Sequence, residues 1–317
     1  MRNMIRHHML TVIFSSSALV ALSACSAHVP SAMPSTPTSS ASSSFPVLVD
    51  ANNRAMPLDP YLLNPEQEKT ISNANSALIS QCMRSFGYNF VLASESGDPT
   101  GIGADAPSTR MDGYFGFQSM THAQKWGYHP EGGYPAANGA PVQHQTSSER
   151  IALSGTADPQ QKEGDGGQII NHRKVPDRGC VGEARRSLTG SASGNIGNPD
   201  FVVGLKFDTL TKGVKDPRTI AVFSKWSACM KKKGYDYIDP LEAAGDSSWS
   251  EGRLPTRQEI RVAVADQECR RVNNVVGVWF SVDYEYQRQA VRQNSSRLAA
   301  IKESMMSHLS AANRVLR

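Results

Sequence analysis

Ser80-Gln81-Cys82-Met83-Arg84-Ser85-Phe86-Gly87-Tyr88 returns later in the chain as Ser227-Ala228-Cys229-Met230-Lys231-Lys232-Lys233-Gly234-Tyr235. Each copy reads S-x-C-M, three residues, then G-Y. Each also closes a segment that opens on a helix start: Asn64-Pro65 and Asp216-Pro217 place a capping side chain before a proline at the first helical position. Gly87 and Gly234 then stand where a helix stops in a left-handed cap. Between these marks Ile71, Leu78, Ile79, Cys82 and Phe86 fall near helical spacing, as do Ile220, Phe223, Trp226, Cys229 and Met230. The pattern predicts two helices, each with its cysteine on the buried face one turn before the end.

A second cysteine helix comes after each copy. Pro255-Thr256-Arg257-Gln258-Glu259 reads as a capping box, with Thr256 as cap and Glu259 reaching back to it. Val262, Ala265, Cys269, Val272, Val276 and Trp279 then step by three and four. The earlier counterpart is Gly179-Cys180-Val181-Gly182-Glu183-Ala184-Arg185-Arg186-Ser187-Leu188, a helix beginning near its cysteine. Four cysteines allow three connectivities, and the repeat selects one: Cys82–Cys180 and Cys229–Cys269. No C-x-x-C occurs, which argues against a zinc site or a thioredoxin-like pair. The fold expected is mainly α: a disulfide-stapled helical bundle of two helix-pair copies, covering 46–190 and 191–317.

The copies differ in their connections. Tyr235 to Leu254 is short and polar, whereas the insertion at 89–178 is long and rich in Gly, Pro, Asp and Ser. Structureless loops of that length are uncommon in a compact domain, so short helices are expected at Ser119–Trp126 and at Ser147–Ser154 before Gly155. Gln160 to Gly167 reads as exposed or disordered. From Thr256 the chain runs almost to Arg317 without proline, with a bend expected near Gly277 or Asn294. Its last part, carrying Leu298, Ile301, Met305, Leu309, Ala312 and Leu316, packs back on its own domain or projects as an arm that pairs with a partner or with itself.

The N-terminus carries an address. Arg2 and Arg6 precede the apolar run Met9–Ala21, too short to cross a bilayer core needing about 20 residues. Leu22-Ser23-Ala24-Cys25 has the form of a lipobox. The expectation is a lipoprotein signal peptide over 1–24, lipidation of Cys25, and a flexible Ser/Pro/Ala/Thr tether over 25–45. The alternative is an ordinary secretory signal with an incidental cysteine. Export explains the even count of later cysteines, since disulfides persist in oxidising compartments.

Composition excludes more than it assigns. Removing residues 1–24 takes away two arginines and no acids, so the formal charge of +4 becomes +2; that is no basic footprint for nucleic acid. Lys231-Lys232-Lys233 reads as decoration of a helix C-terminus, with a phosphate or anionic-lipid contact as the alternative. G-x-S-x-G, a P-loop, H-E-x-x-H and an EF-hand loop are all missing. Gly101-Ile102-Gly103 reads as a plain loop, and Asp105 and Asp112 as an incidental carboxylate pair. His122 and His129 have no neighbours at ligand spacing, so a polar surface role is expected and no metal or cofactor is assigned. Tyr114, Phe115, Phe117, Trp126 and Tyr128 are locally dense. They read as the core of a small lobe or, with His129, as a platform for a ligand or glycan.

The paired Cys-Met-x3-Gly-Tyr motifs, the stretch Gly116-Phe117…Ala123…Trp126-Gly127-Tyr128-His129, Ala152-Leu153-Ser154-Gly155, and Gly179-Cys180…Glu183-Ala184, in this order, resemble an actinobacterial (Streptomyces-like) lipoprotein family. The resemblance spans most of the chain after Cys25. It implies an extracytoplasmic surface protein with no assigned reaction, and supplies no catalytic residues. The function expected is a non-catalytic binding or accessory role at the cell envelope. The protein is held by its lipid on the extracytoplasmic face of the cell membrane, with an envelope protein or cell-wall ligand as partner. Two alternatives are an envelope hydrolase or peptidoglycan-modifying enzyme, and a structural homo-oligomer joined through the C-terminal helix.

Overall fold

The helix-ending motif has the same geometry in both copies. Helix α1 spans Pro65–Ser85; its counterpart α6, the sixth helix in chain order, spans Pro217–Lys232. Beyond each, the Gly N–H bonds back three residues, Gly87 to Arg84 O at 2.9 Å and Gly234 to Lys231 O at 3.0 Å. The next N–H bonds back five, Tyr88 to Met83 O at 3.1 Å and Tyr235 to Met230 O at 3.0 Å. This is the Schellman closure, and it needs the positive φ of Gly87 (83°) and Gly234 (88°). The methionine therefore does two things: its carbonyl accepts the closing bond and its side chain is fully buried. At the other end of α1, Asn64 and Gln67 form a reciprocal capping box. The cysteines of the motif are half-buried rather than on the deepest face, and Ile220, placed on the apolar stripe by spacing, is exposed.

The computed structural model describes residues 45–52, 54–90, 115, 119–134 and 145–317. The signal peptide, Cys25, nearly all of the tether, Gly101–Gly103, Asp105, Asp112, Tyr114 and Phe117 lie outside the described residues. Within them the chain is mainly helical, with one short antiparallel hairpin, β1 (Ile169–Ile170) and β2 (Arg173–Lys174). The remaining helices are α2 (Met120–Trp126), α3 (Ser147–Ser154), α4 (Gly179–Thr189), α5 (Asp200–Lys215), α7 (Pro240–Ala244), α8 (Arg257–Asn273), α9 (Val275–Gln293) and α10 (Ser295–Val315).

Disulfides join Cys82 to Cys180 and Cys229 to Cys269, tying α1 to α4 and α6 to α8. In each copy a short helix packs on both members of the pair: α3 in the first, α7 in the second. Gly179 opens α4 because the end of α3 lies against it; a Cβ there would sit 2.6 Å from the backbone of Leu153 and Ser154. The stretch from Gln160 to Gly167 is largely exposed yet tied down. Glu163 binds Arg178 at 2.7 Å and Arg185 at 2.5 Å, and Gly164 N–H bonds to Ser154 O at 2.9 Å.

The C-terminal run bends at Asn294, as expected, but its other break is at Asn274, not Gly277. Asn274 takes a left-handed conformation (φ 52°) between α8 and α9, a region asparagine tolerates better than other non-glycine residues. Gly277 lies inside α9, where a Cβ would run into the Pro46 carbonyl oxygen. Helix α10 packs back on α1 and α4, with Met305, Leu309 and Ala312 against Leu63, Ile71, Ala74 and Leu188. Helix α2, from the first copy's insertion, packs instead on α8 of the second. The copies thus exchange elements across the boundary at residue 190. Helix α5 carries no clear sequence signal. Its buried positions are Val202, Lys206, Thr209 and Gly213, a polar stripe that periodicity of apolar residues passes over. Gly213 faces α9, where a Cβ would make an ordinary contact with Asp283 at 3.6 Å.

Asp216 caps α6 and also joins it to α9. Its carboxylate accepts from the Arg218 side chain at 2.9 and 3.0 Å and from the Tyr286 hydroxyl at 3.1 Å, while Arg218 reaches Glu285 at 2.8 Å. The Arg218 hydrogen bond holds the Asp216 carboxyl below the usual carboxylate range, against a smaller opposing push from burial. A depressed carboxylate contributes stability that is complete above its unfolded value, about 3.9. That contribution is lost as pH falls through the lower, folded value. Asp216→Asn is therefore expected to flatten that part of the acid limb. Urea unfolding across pH should show the variant and the parent chain converging at the acid end.

Candidate functional site

Where α2 meets α8, the fold buries charge. Gly127 (φ 58°) turns the chain out of α2, and the next two N–H groups point at one carboxylate. Glu259 Oε1 accepts from Tyr128 N at 2.8 Å, His129 N at 3.1 Å and His129 Nδ1 at 2.7 Å. His129 Nε2 lies 2.9 Å from the Gly252 carbonyl oxygen. Both ring nitrogens thus face acceptors, and a neutral imidazole has only one N–H. The ring therefore bridges the Glu259 carboxyl and the Gly252 carbonyl, its donor set by the tautomer. Gly127 is needed for the approach, because a Cβ would lie 2.7 Å from Glu259 Oε1.

Two turns along α8 stands a second set. Asp266 binds Arg270 Nε at 2.7 Å, Trp226 Nε1 at 2.8 Å and the Tyr128 hydroxyl at 3.3 Å, and Arg270 also donates to the Phe115 carbonyl at 2.7 Å. Burial raises the Asp266 carboxyl, with Arg270 pulling the other way; burial, then Asp266, pushes the Tyr128 phenol far up. Phe115 packs edge-on to Trp279, and Tyr128 stacks on Trp249 at 6.0 Å. These are interior links joining the insertion to α6, α8 and α9.

The aromatic platform is corrected accordingly. Tyr128 is 4% exposed and His129 1%, so neither presents a face to a ligand, and His129 is not a surface histidine. The Phe115 and Tyr128 rings belong to the core of the second copy, where α2 and the residues after it land on α8. Trp126 is half-exposed with the Lys125 ammonium 4.9 Å from its ring centre. Glu259 is also corrected. Thr256 caps α8 by accepting from Glu259 N at 3.1 Å, but the Glu259 side chain turns inward to His129 instead of back to Thr256. Among the described residues no three His, Cys, Asp or Glu side chains form a metal-binding group. His122 Nε2 contacts the His129 carbonyl at 2.8 Å.

Among the described residues, two grooves lie along α10. One groove of about 300 Å³ has Pro199, Ile301 and Met305 as its apolar floor, with Asn195, Ser304 and His308 among its rim, and no charged side chain in its lining. The rim amide is already engaged: Asn195 bonds to Asn198 O and Gly197 N. On the other flank of α10 a second groove, about 350 Å³, shares Met305 and carries Asp59 and Lys302. Ser304 Oγ lies 3.2 Å from His308 Nε2, and burial lowers the His308 imidazole, favouring its neutral form. Among the described residues no carboxylate binds His308, so the pair lacks the third group that orients a catalytic base. Sequence reasoning missed these grooves, since the 189–199 turn walls one and residues 59–67 wall the other, each against α10 and far from it in the chain. No family model, curated protein or solved structure matches the chain.

Proposed function

We propose that this chain is an exported lipoprotein, anchored through Cys25, whose folded part binds a neutral, largely apolar small molecule without chemistry at the α10 groove. The observation that carries the binding role is the groove itself. Its size is that of a small-ligand pocket, its lining is uncharged, and its rim asparagine is satisfied internally, so burial of apolar surface is what it offers. The two disulfides support export, because such bridges persist in oxidising compartments, and the Leu22–Cys25 tetrapeptide supports the anchor.

One experiment has two arms. Cys25→Ala should move the protein from the membrane fraction to the soluble one; a protein that stays with the membrane counts against the anchor. In the purified chain, the neutral dye N-phenyl-1-naphthylamine should brighten on binding. Ser304→Phe, at an exposed position on the groove wall, should weaken that binding at least tenfold. Unchanged dye affinity removes the groove.

A further inference from the structure

We propose that the end of the molecule formed by residues 46–50, the last turn of α8 and the end of α6 is a docking face for an anionic lipid surface. The proposal rests on the anchored reading above and adds an orientation to it. Chain connectivity selects this end. The described fold begins at Phe45, twenty residues after Cys25, so this is the end through which a lipid on Cys25 is joined to the fold.

Phe45 packs against the main core, and Asn274 fastens the three residues after it. The Asn274 Nδ2 donates to Pro46 O at 3.0 Å and its Oδ1 accepts from Leu48 N at 3.0 Å. Leu48 points in and is buried, so the residues alternating with it point out: Val47 is 81% and Val49 54% exposed. Val272, two residues before Asn274 on the last turn of α8, is 79% exposed. Its spacing places Val272 in the apolar stripe of α8, yet in the fold it is exposed, as are Val47 and Val49 on the segment that Asn274 holds.

Cations adjoin them. The Cys229–Cys269 bridge ties the end of α6, which carries Lys231, Lys232 and Lys233, to the last turns of α8, which carry Arg271 and Val272. Lys233 pairs with Glu268 at 2.5 Å and Lys231 with Asp236 at 3.4 Å. Among the described residues no carboxylate pairs with Lys232 or Arg271. Asp50, Asp236 and Glu268 are the acids nearby, so the face is mildly basic. Apolar side chains that enter the headgroup region, with cations beside them, are the chemistry of a peripheral contact with anionic lipid. Helix α9 then leads away from this face for 19 residues, about 28 Å, so the groove-bearing α10 starts a helix length from the bilayer.

The test supplies the anchor chemically. Four of the five cysteines are bridged, so residues 25–317 in oxidised form can be coupled through the Cys25 thiol to vesicles bearing a maleimide lipid. Amide hydrogen exchange is then compared on phosphatidylglycerol-containing vesicles, on phosphatidylcholine vesicles and in solution. Exchange at residues 47–50, 231–234 and 270–274 should slow at least threefold on the anionic vesicles alone, and Val47→Asp/Val49→Asp/Val272→Asp should abolish the slowing. These side chains are exposed, so the variant keeps its fold, checked by an unchanged melting curve. Exchange identical on vesicles and in solution overturns the proposal, as does a triple variant that behaves like the parent. Slowing that tracks protein density instead of lipid charge assigns the face to a second copy and also overturns it. Because the coupling does not depend on cellular lipidation, failure here leaves the anchored reading intact, and failure of the Cys25→Ala fractionation leaves this result intact.

Discussion

Glu259→Ala is expected to be among the most damaging single substitutions in the chain, lowering the unfolding free energy by about 3–5 kcal/mol, because three hydrogen bonds to one buried carboxyl are lost together. The loss exceeds that of one hydrogen bond because Glu259 Oε1 accepts three donors at once, two of them backbone N–H groups. Without it, the His129 ring and both amides lose their acceptor in a site where His129 is almost fully buried. Glu259→Gln separates the contributions. An amide oxygen still accepts from the backbone but carries no charge, so a smaller loss, about 1.5–3 kcal/mol, is expected. Urea unfolding gives the totals, and hydrogen exchange over residues 119–134 should show that the insertion lets go of α8 first. A loss below about 1 kcal/mol for Glu259→Ala would mean that α2 is held by its apolar contacts alone.

Removing the disulfides should cost as much. Loop-closure entropy gives about 5 kcal/mol for Cys82–Cys180, with a separation of 98 residues, and about 4 kcal/mol for Cys229–Cys269, with 40. Measured losses for the double alanine variants should fall at or below these values, since the unfolded chain retains some compactness. Each variant should also show a steeper dependence on denaturant, because an unbridged unfolded chain exposes more surface. Domains of this kind have total stabilities of about 5–15 kcal/mol, so loss of both bridges should leave the fold marginal. A double variant with an unchanged urea midpoint would show that packing alone holds the paired helices.

The sequence carried most of the helical frame because its signals are local. Asn64-Pro65 and Asp216-Pro217 begin helices through bonds within three residues, and Gly87 and Gly234 end them through bonds within five. Ser119 and Thr146 cap the two short insertion helices in the same way. Where those local signals fail, a tertiary contact competes. Asn274 breaks the C-terminal run because its side chain is engaged by Pro46 and Leu48, over two hundred residues away in the chain. Glu259 abandons its capping box because two buried backbone N–H groups and the His129 ring need an acceptor, whereas the amide at the cap can be served by water. The grooves of α10 were invisible for a related reason. Their walls meet only after α10 has folded back on α1 and α4, and no single segment bears their pattern.

By itself, then, the sequence determined the helices, their ends, and the pairing of the four later cysteines through a repeated motif whose methionine, glycine and tyrosine act within one turn. The tertiary structure alone decided which helices exchange between the copies, that Tyr128 and His129 belong to the interior, and where a concave surface exists. The division reflects the range of the forces. Caps and turns are settled by hydrogen bonds between near neighbours in the chain, whereas burial of charge and the shape of a groove depend on which distant surfaces meet.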